Sequence, residues 1–281
     1  MGSISQFVEG TVLDHTFNGA GVAYTPPSEI FLGLSTADAT NNASGIAEPA
    51  GGSYARIAIT FDAAAARAIA NVIANFAEAT GAWGLISDWF IADHISNVTF
   101  GSNVEMLAFG AFSESKSIVS GNSPTIPAGD IDISFKTLAT KGTNENISDY
   151  LANKLLDFVF RNQAFVQPDT FMGYATTILA DNTTGSTVVD PSGNNYSRKQ
   201  VNENGGSSPT WNLQSSQLVD NAHDIDMPTP SGSWGTLVSQ FIADDLSAGN
   251  ILCYDNGVDD QLVGTDDTVR AEAGACDIAM T

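Results

Sequence analysis

Gly52-Ser53-Tyr54-Ala55-Arg56 in the first half of the chain is answered by Asn194-Asn195-Tyr196-Ser197-Arg198 in the second, and the matches on either side keep the same order. Upstream, Leu13-Asp14 with Phe17 and a strand ending at Gly33 correspond to Leu156-Asp157 with Phe160 and a strand ending at Gly173. Downstream, Thr80-Gly81-Ala82-Trp83-Gly84 and Phe90-Ile91-Ala92-Asp93 correspond to Ser231-Gly232-Ser233-Trp234-Gly235 and Phe241-Ile242-Ala243-Asp244. Ala128-Gly129-Asp130-Ile131-Asp132-Ile133 returns as Ala273-Gly274-Ala275-Cys276-Asp277-Ile278. The paired arginines are 142 positions apart, the tryptophans 151, and Gly129 and Gly274 145, so insertions between the copies are short. A repeat of this size can bury a core of its own, unlike solenoid repeats of roughly 20–50 residues. The chain therefore reads as a tandem duplication, with a first copy over 1–138, a linker over 139–147 and a second, diverged copy over 148–281. The linker contains Ala139-Thr140-Lys141-Gly142-Thr143-Asn144-Glu145-Asn146, which is polar and lacks apolar periodicity.

Each copy opens on an amphipathic helix. In the second, Ser148 and Asp149 form a capping start, and Leu151, Leu155, Phe158 and Val159 recur at helical spacing through Phe160. The counterpart starts near Ser5 and runs through Val8, Val12 and Leu13 to Phe17, weakened by Gly10. The prolines of Tyr24-Thr25-Pro26-Pro27 impose an extended entry to a strand over 30–34. Further strands are expected over 55–61, 85–92, 104–112 and 130–135, and again over 236–243, 250–254 and 276–280. The alanine run of 63–73 favours helix on propensity, yet its counterpart over 214–218 has no such run, so strand or loop is expected in both. The resulting class is mainly β: two tandem antiparallel β-sandwich domains of jelly-roll type, each entered by its helix.

Composition excludes several roles. The chain of 281 residues is 43% hydrophobic and 15% charged, within the range of globular proteins. Its net charge of −22 comes from both halves, with 4 basic against 13 acidic residues in 1–138 and 6 against 19 in the rest. An acidic surface repels phosphate, so no nucleic-acid partner is expected. No stretch approaches the ~20 apolar residues of a membrane span, and the N-terminus has no signal-peptide pattern, so synthesis in a cytoplasm and no membrane partner are expected. Cys253 and Cys276 fall opposite Ala108 and Ile131 and are read as buried apolar side chains ahead of a disulfide.

The series Tyr24-Thr25-Pro26-Pro27, Phe31-Leu32-Gly33-Leu34-Ser35-Thr36-Ala37-Asp38, Gly51-Gly52-Ser53-Tyr54-Ala55-Arg56, Ala79-Thr80-Gly81-Ala82-Trp83-Gly84 and Ala128-Gly129-Asp130-Ile131-Asp132 resembles a family of tailed-bacteriophage virion structural proteins. Members are commonly labelled tail fibre proteins, and relatives look like capsid cement, or decoration, proteins. The resemblance covers 5–135 and weakens in the second copy, where Phe165-Val166-Gln167-Pro168 replaces Tyr-Thr-Pro-Pro. It implies a decoration protein on the outer capsid surface of the virion, made in the bacterial host, bridging the major capsid protein and copies of itself as a homo-oligomer. The alternative is a tail fibre or adhesion protein that binds a host receptor or glycan. No catalytic residues are implied.

The residues agree with a non-enzymatic role. His15, His94 and His223 show neither zinc spacing nor a nucleophile–base arrangement, so no metal, cofactor or catalytic set is expected. The acid pairs Asp244-Asp245, Asp259-Asp260 and Asp266-Asp267 lack the spacing of a calcium loop and read as a solvated face. Trp83 and Trp234 invite a sugar-stacking reading, but a tryptophan entering a strand of alternating apolar residues fits a core better. Tyr54 with Arg56, and Tyr196 with Arg198, share a strand face where the arginine reaches an aromatic ring or a carboxylate of a neighbouring turn. These six residues are expected to anchor the repeat. Docking to a partner is expected at Tyr24, Pro26 and Pro27 and at the loop with Asn41, Asn42 and Ser44, because long polar loops carry binding. Deleting 41–44 is expected to leave the fold intact.

Overall fold

A Ser hydroxyl starts each helix, and the start is also what fastens the helix to a sheet. The computed structural model describes residues 2–18, 23–96, 100–101, 104–135, 145–202 and 210–279. Ser5 Oγ accepts the amide of Val8 at 3.3 Å and donates to the carbonyl of Met106, at the start of helix α1, Gln6–Leu13. Ser148 Oγ accepts the amide of Leu151 at 3.1 Å and donates to the carbonyl of Ile251, at the start of helix α2, Asp149–Arg161. Both are N-caps that satisfy an amide the helix leaves unpaired, and both reach a strand at the same time. Helix α1 widens into a π turn over Asp14–Asn18.

The sheets repeat the same order. In the first copy five antiparallel strands run Ser3–Ile4, Met106–Ile118, Gly84–Ala92, Phe31–Ser35, Ile57–Ala58. In the second they run Glu145–Ile147, Ile251–Asp255, Ser239–Ala243, Thr170–Ala175, Lys199–Asn202. Short two-stranded pairs accompany each sheet, including Ala68–Ala70 with Asp132–Ser134 and Leu218–Asp220 with Asp277–Ala279. Register explains one glycine shared by the two copies: Gly33 pairs with Phe90 and Gly173 with Phe241, and a Cβ at either glycine would fall inside the facing ring. The protein is thus mainly β, in two tandem copies with two α-helices among the described residues.

Several expected strands are shorter than their apolar pattern. Of 55–61, only Ile57–Ala58 pairs as a strand, with Phe61 bridging Asn71. The expected strand over 236–243 is interrupted at Val238 into Gly235–Leu237 and Ser239–Ala243. The alanine run folds into a hairpin leading to Ala68–Ala70, because cross-strand pairing outweighs the helix preference of alanine. Residues 139–144 of the expected linker lie outside the described residues, and Glu145–Ile147 is a strand.

Compactness divides the chain differently from the repeat. One unit takes the described residues within Met1–Glu9, Thr25–Phe135 and Asn153–Phe165. The other takes those within Gly10–Tyr24, Lys136–Ala152 and Val166–Thr281. Each unit therefore holds one copy's sheet and the latter part of the other copy's helix. In the first unit Phe158 and Phe160 are buried, and in the second His15, Thr16 and Phe17 are.

Candidate functional site

The residues repeated most closely build one constellation in each unit. In the first, the Arg56 side chain is 1% exposed and grips Glu48 with two bonds, Nε to Oε1 at 3.0 Å and Nη2 to Oε2 at 2.9 Å. Nη1 donates to the carbonyl of His94 at 2.9 Å, and the guanidinium lies 5.1 Å from the ring centres of Phe90 and Phe100. Phe90 is thereby enclosed by Gly33 and Arg56. Tyr54 accepts the amide of Leu34 at 2.8 Å and donates to Glu48 at 2.9 Å. Its ring meets Trp83 edge-on at 5.3 Å, and Trp83 Nε1 donates to the carbonyl of Gly52 at 2.8 Å. Burial, then the Glu48 charge, push the Tyr54 hydroxyl far up, so it stays a donor.

The second unit rebuilds this with different acceptors. Arg198, also 1% exposed, holds Asp190 Oδ2 through Nε at 3.1 Å and Nη2 at 3.0 Å. The shorter aspartate engages through one oxygen, and the remaining donors go to the carbonyls of Gly185, Asp245 and Ala248. The guanidinium lies 5.0 Å from the centre of Phe241. Burial raises the Asp190 carboxyl, and the Arg198 charge opposes that rise. Tyr196 bonds both backbone groups of Tyr174, and its hydroxyl is pushed up by burial and then by Asp190. Trp234 meets the Tyr196 ring at 5.0 Å and donates to the carbonyl of Asn194 at 2.9 Å. With 4% and 3% exposure, Trp83 and Trp234 present no ring face on which a sugar can stack.

The expected docking residues are placed unevenly. Pro26 is buried and Tyr24 half-buried, the latter donating its amide to His15 Nδ1 at 3.2 Å. Pro27 is half-buried, whereas Asn41, Asn42 and Ser44 are exposed. The loop is also fastened: the Asn41 carbonyl accepts the amide of Gln6 at 3.1 Å, and its Nδ2 reaches Glu9 at 3.5 Å. Asn42 Oδ1 accepts from Thr40 and from the amide of Ser44. Deleting 41–44 thus removes a tie to the first turn of α1 as well as surface.

Two asparagines escaped the sequence reading. Asn71 and Asn221 are fully buried, and each spends its amide on three backbone groups. Asn71 accepts from Ile131 and donates to Val72 and Pro127; Asn221 accepts from Cys276 and donates to His223 and Glu272. Their coincidence in the repeat was the available signal, obscured by the low similarity around them.

Three carboxylates of the acid pairs accept backbone amides. Asp244 accepts from Asn250, Asp267 from Gly264, and Asp245 from the amides of Ser247 and Ala248, which hold its carboxyl below the usual range. Among the described residues no group of three or more His, Cys, Asp or Glu is placed to hold a metal ion. No helix among them is long and apolar enough to cross a membrane. Cys253 and Cys276 are buried and line a cleft of 210 Å³ with Gln240, whose Nε2 donates to Cys276 Sγ at 3.3 Å.

The chain is thus a duplicated, mainly β protein in which the repeated Tyr, Arg and Trp side chains of both copies are spent on internal ties. The chain belongs to the family described as podophage GP4 fiber I protein gp80, whose model matches residues 3–134 and again 146–279. It is therefore a phage virion structural protein in tandem-duplicate form. No curated protein matches the chain.

Proposed function

We propose that this chain is a non-enzymatic component of a virion fibre, acting through the surface loops that its buried clusters hold in place. The observation carrying this reading is the family match over both copies, since the family is described by a fibre protein. The internal use of Tyr54, Arg56, Trp83 and their counterparts supports it, because such clusters stiffen a scaffold and leave recognition to loops. The exposed loop with Asn41, Asn42 and Ser44 is the docking element.

A second reading is a decoration protein on the outer capsid surface that contacts the major capsid protein and copies of itself. The duplication favours it, because two linked binding modules make the second contact intramolecular and raise avidity. Cryo-electron microscopy of the virion, with gold-labelled antibody against this chain, separates the two. Label confined to fibres at the tail supports the first. Density repeated over the icosahedral shell overturns it in favour of the second.

A further inference from the structure

Two hairpin tips adopt a backbone that their residues disfavour. Ala66 and Arg67 have φ of 50° and 65°, and Ser216 and Gln217 have 54° and 60°. These are two-residue turns of the mirror-image kind that ordinarily take Asn and Gly, closed by the pairs Ala65 with Ala68 and Ser215 with Leu218. Each tip is held from outside by a helix end, and the helix comes from the other repeat. At the first tip, Asp157 Oδ1 accepts the amide of Ala64 at 2.9 Å, Asn153 Oδ1 accepts that of Arg67 at 2.9 Å, and Phe160 packs on Phe61 at 5.5 Å. At the second, Asp14 Oδ1 accepts the amide of Gln214 at 2.7 Å and Phe17 packs on Trp211 at 5.4 Å.

One pair of positions differs in a complementary way. Where α2 has Asn153, α1 has Gly10, and where the first hairpin has Ala64, the second has Gln214. A Cβ at Gly10 would lie 2.8 Å from the Gln214 side chain, which occupies that space and accepts the amide of Gln217 at 3.3 Å. Each tip therefore receives one amide oxygen for its strained turn, from the helix in one case and from the hairpin in the other.

We propose that this complementarity makes the unlike repeats obligate partners: each supplies the helix end that closes the other's hairpin, so the chain is a single-polypeptide form of a helix-exchanged dimer. Self-pairing is disfavoured on both sides. Asn153 against Gln214 puts two amides into one space, and Gly10 against Ala64 leaves the space empty and the turn amide without its acceptor.

The test uses the full chain. Gly10→Asn and Gln214→Ala are each expected to lower the melting temperature. The double variant recreates the Asn153–Ala64 pairing and is expected to recover most of both losses. Losses that simply add would overturn the proposal. Hydrogen exchange on Phe160→Ala and Phe17→Ala gives an independent reading even if melting is complex. Phe160→Ala is expected to speed exchange on the order of a hundredfold in 61–71, and Phe17→Ala likewise in 211–221. Acceleration in each helix's own repeat instead would also overturn it.

Discussion

Replacing Arg56 by methionine is expected to destabilise the first unit by about 3–5 kcal/mol, the cost of leaving one member of a buried ion pair behind. The side chains of Arg56 and Glu48 are 1% and 11% exposed, so water does little to solvate the orphaned carboxylate. Three hydrogen bonds disappear with the guanidinium, two from the carboxylate and one from the His94 carbonyl. Glu48 keeps only its bond from Tyr54 among those described. At roughly 2–4 °C per kcal/mol for a domain of this size, the melting transition falls by about 6 °C or more. Calorimetry is the suitable assay, because a chain with two units need not unfold in one step and the affected transition must be identified. The pair Arg56→Met with Glu48→Met supplies the control: removing both charges is expected to restore most of the loss, since apolar side chains replace buried ion pairs at little cost. A loss below about 1 kcal/mol for Arg56→Met, the range of exposed pairs, would refute the reasoning. So would a double variant no better than the single.

Burial raises the Glu9 carboxyl, with the Asn41 hydrogen bond opposing, so the folded state favours the protonated form. Its stabilising share is complete below the ordinary carboxylate value and is lost as pH rises through the raised one, so Glu9→Gln should melt higher than the parent at about pH 7 and match it near pH 4. Asn71→Leu leaves the Ile131 amide without its acceptor and takes a donor from the Val72 and Pro127 carbonyls, and should cost about 1–3 kcal/mol by urea denaturation, with Asn221→Leu parallel in the second unit. Ser148→Ala removes an N-cap and a bond to the Ile251 carbonyl, and is expected to cost about 1–2 kcal/mol in the same assay. Gly33→Ala drives a methyl group into the Phe90 ring and should lower the melting temperature, whereas an unchanged transition would show that Phe90 can move aside.

Much of the scaffold was legible because its signals are local. Ser5 and Ser148 before apolar residues at helical spacing give both helices, and alternation around Phe90 and Phe241 gives the central strands. The Tyr, Arg and Trp clusters were legible from repetition alone, although the acids they meet were not: Glu48 and Asp190 differ in type, so comparison of the copies passes over them. Strand ends over 55–61 were overdrawn because apolar alternation continues beyond the ladder hydrogen bonds. The alanine run misleads on propensity since Ala66 and Arg67 form a turn that tertiary contacts stabilise. The crossing of the helices was hidden for a different reason. Both helices carry an apolar stripe, and although its buried positions differ, with His15 and Thr16 standing where the other copy has Phe158 and Val159, neither stripe by itself names the copy it fills; the fit of Gly10 to Gln214 shows only in the fold.

That crossing bears on how the chain is made. The first hairpin emerges from the ribosome well before Asn153–Phe165, so its unit stays open while the intervening residues are translated, for several seconds at about 5–20 residues per second. During that interval neighbouring nascent chains on one messenger present the same open hairpins and the same helix ends. On the complementarity proposed above, the poor match of Gly10 with Ala64 leaves first repeats ill-suited to one another until each ribosome delivers the second helix of its own chain.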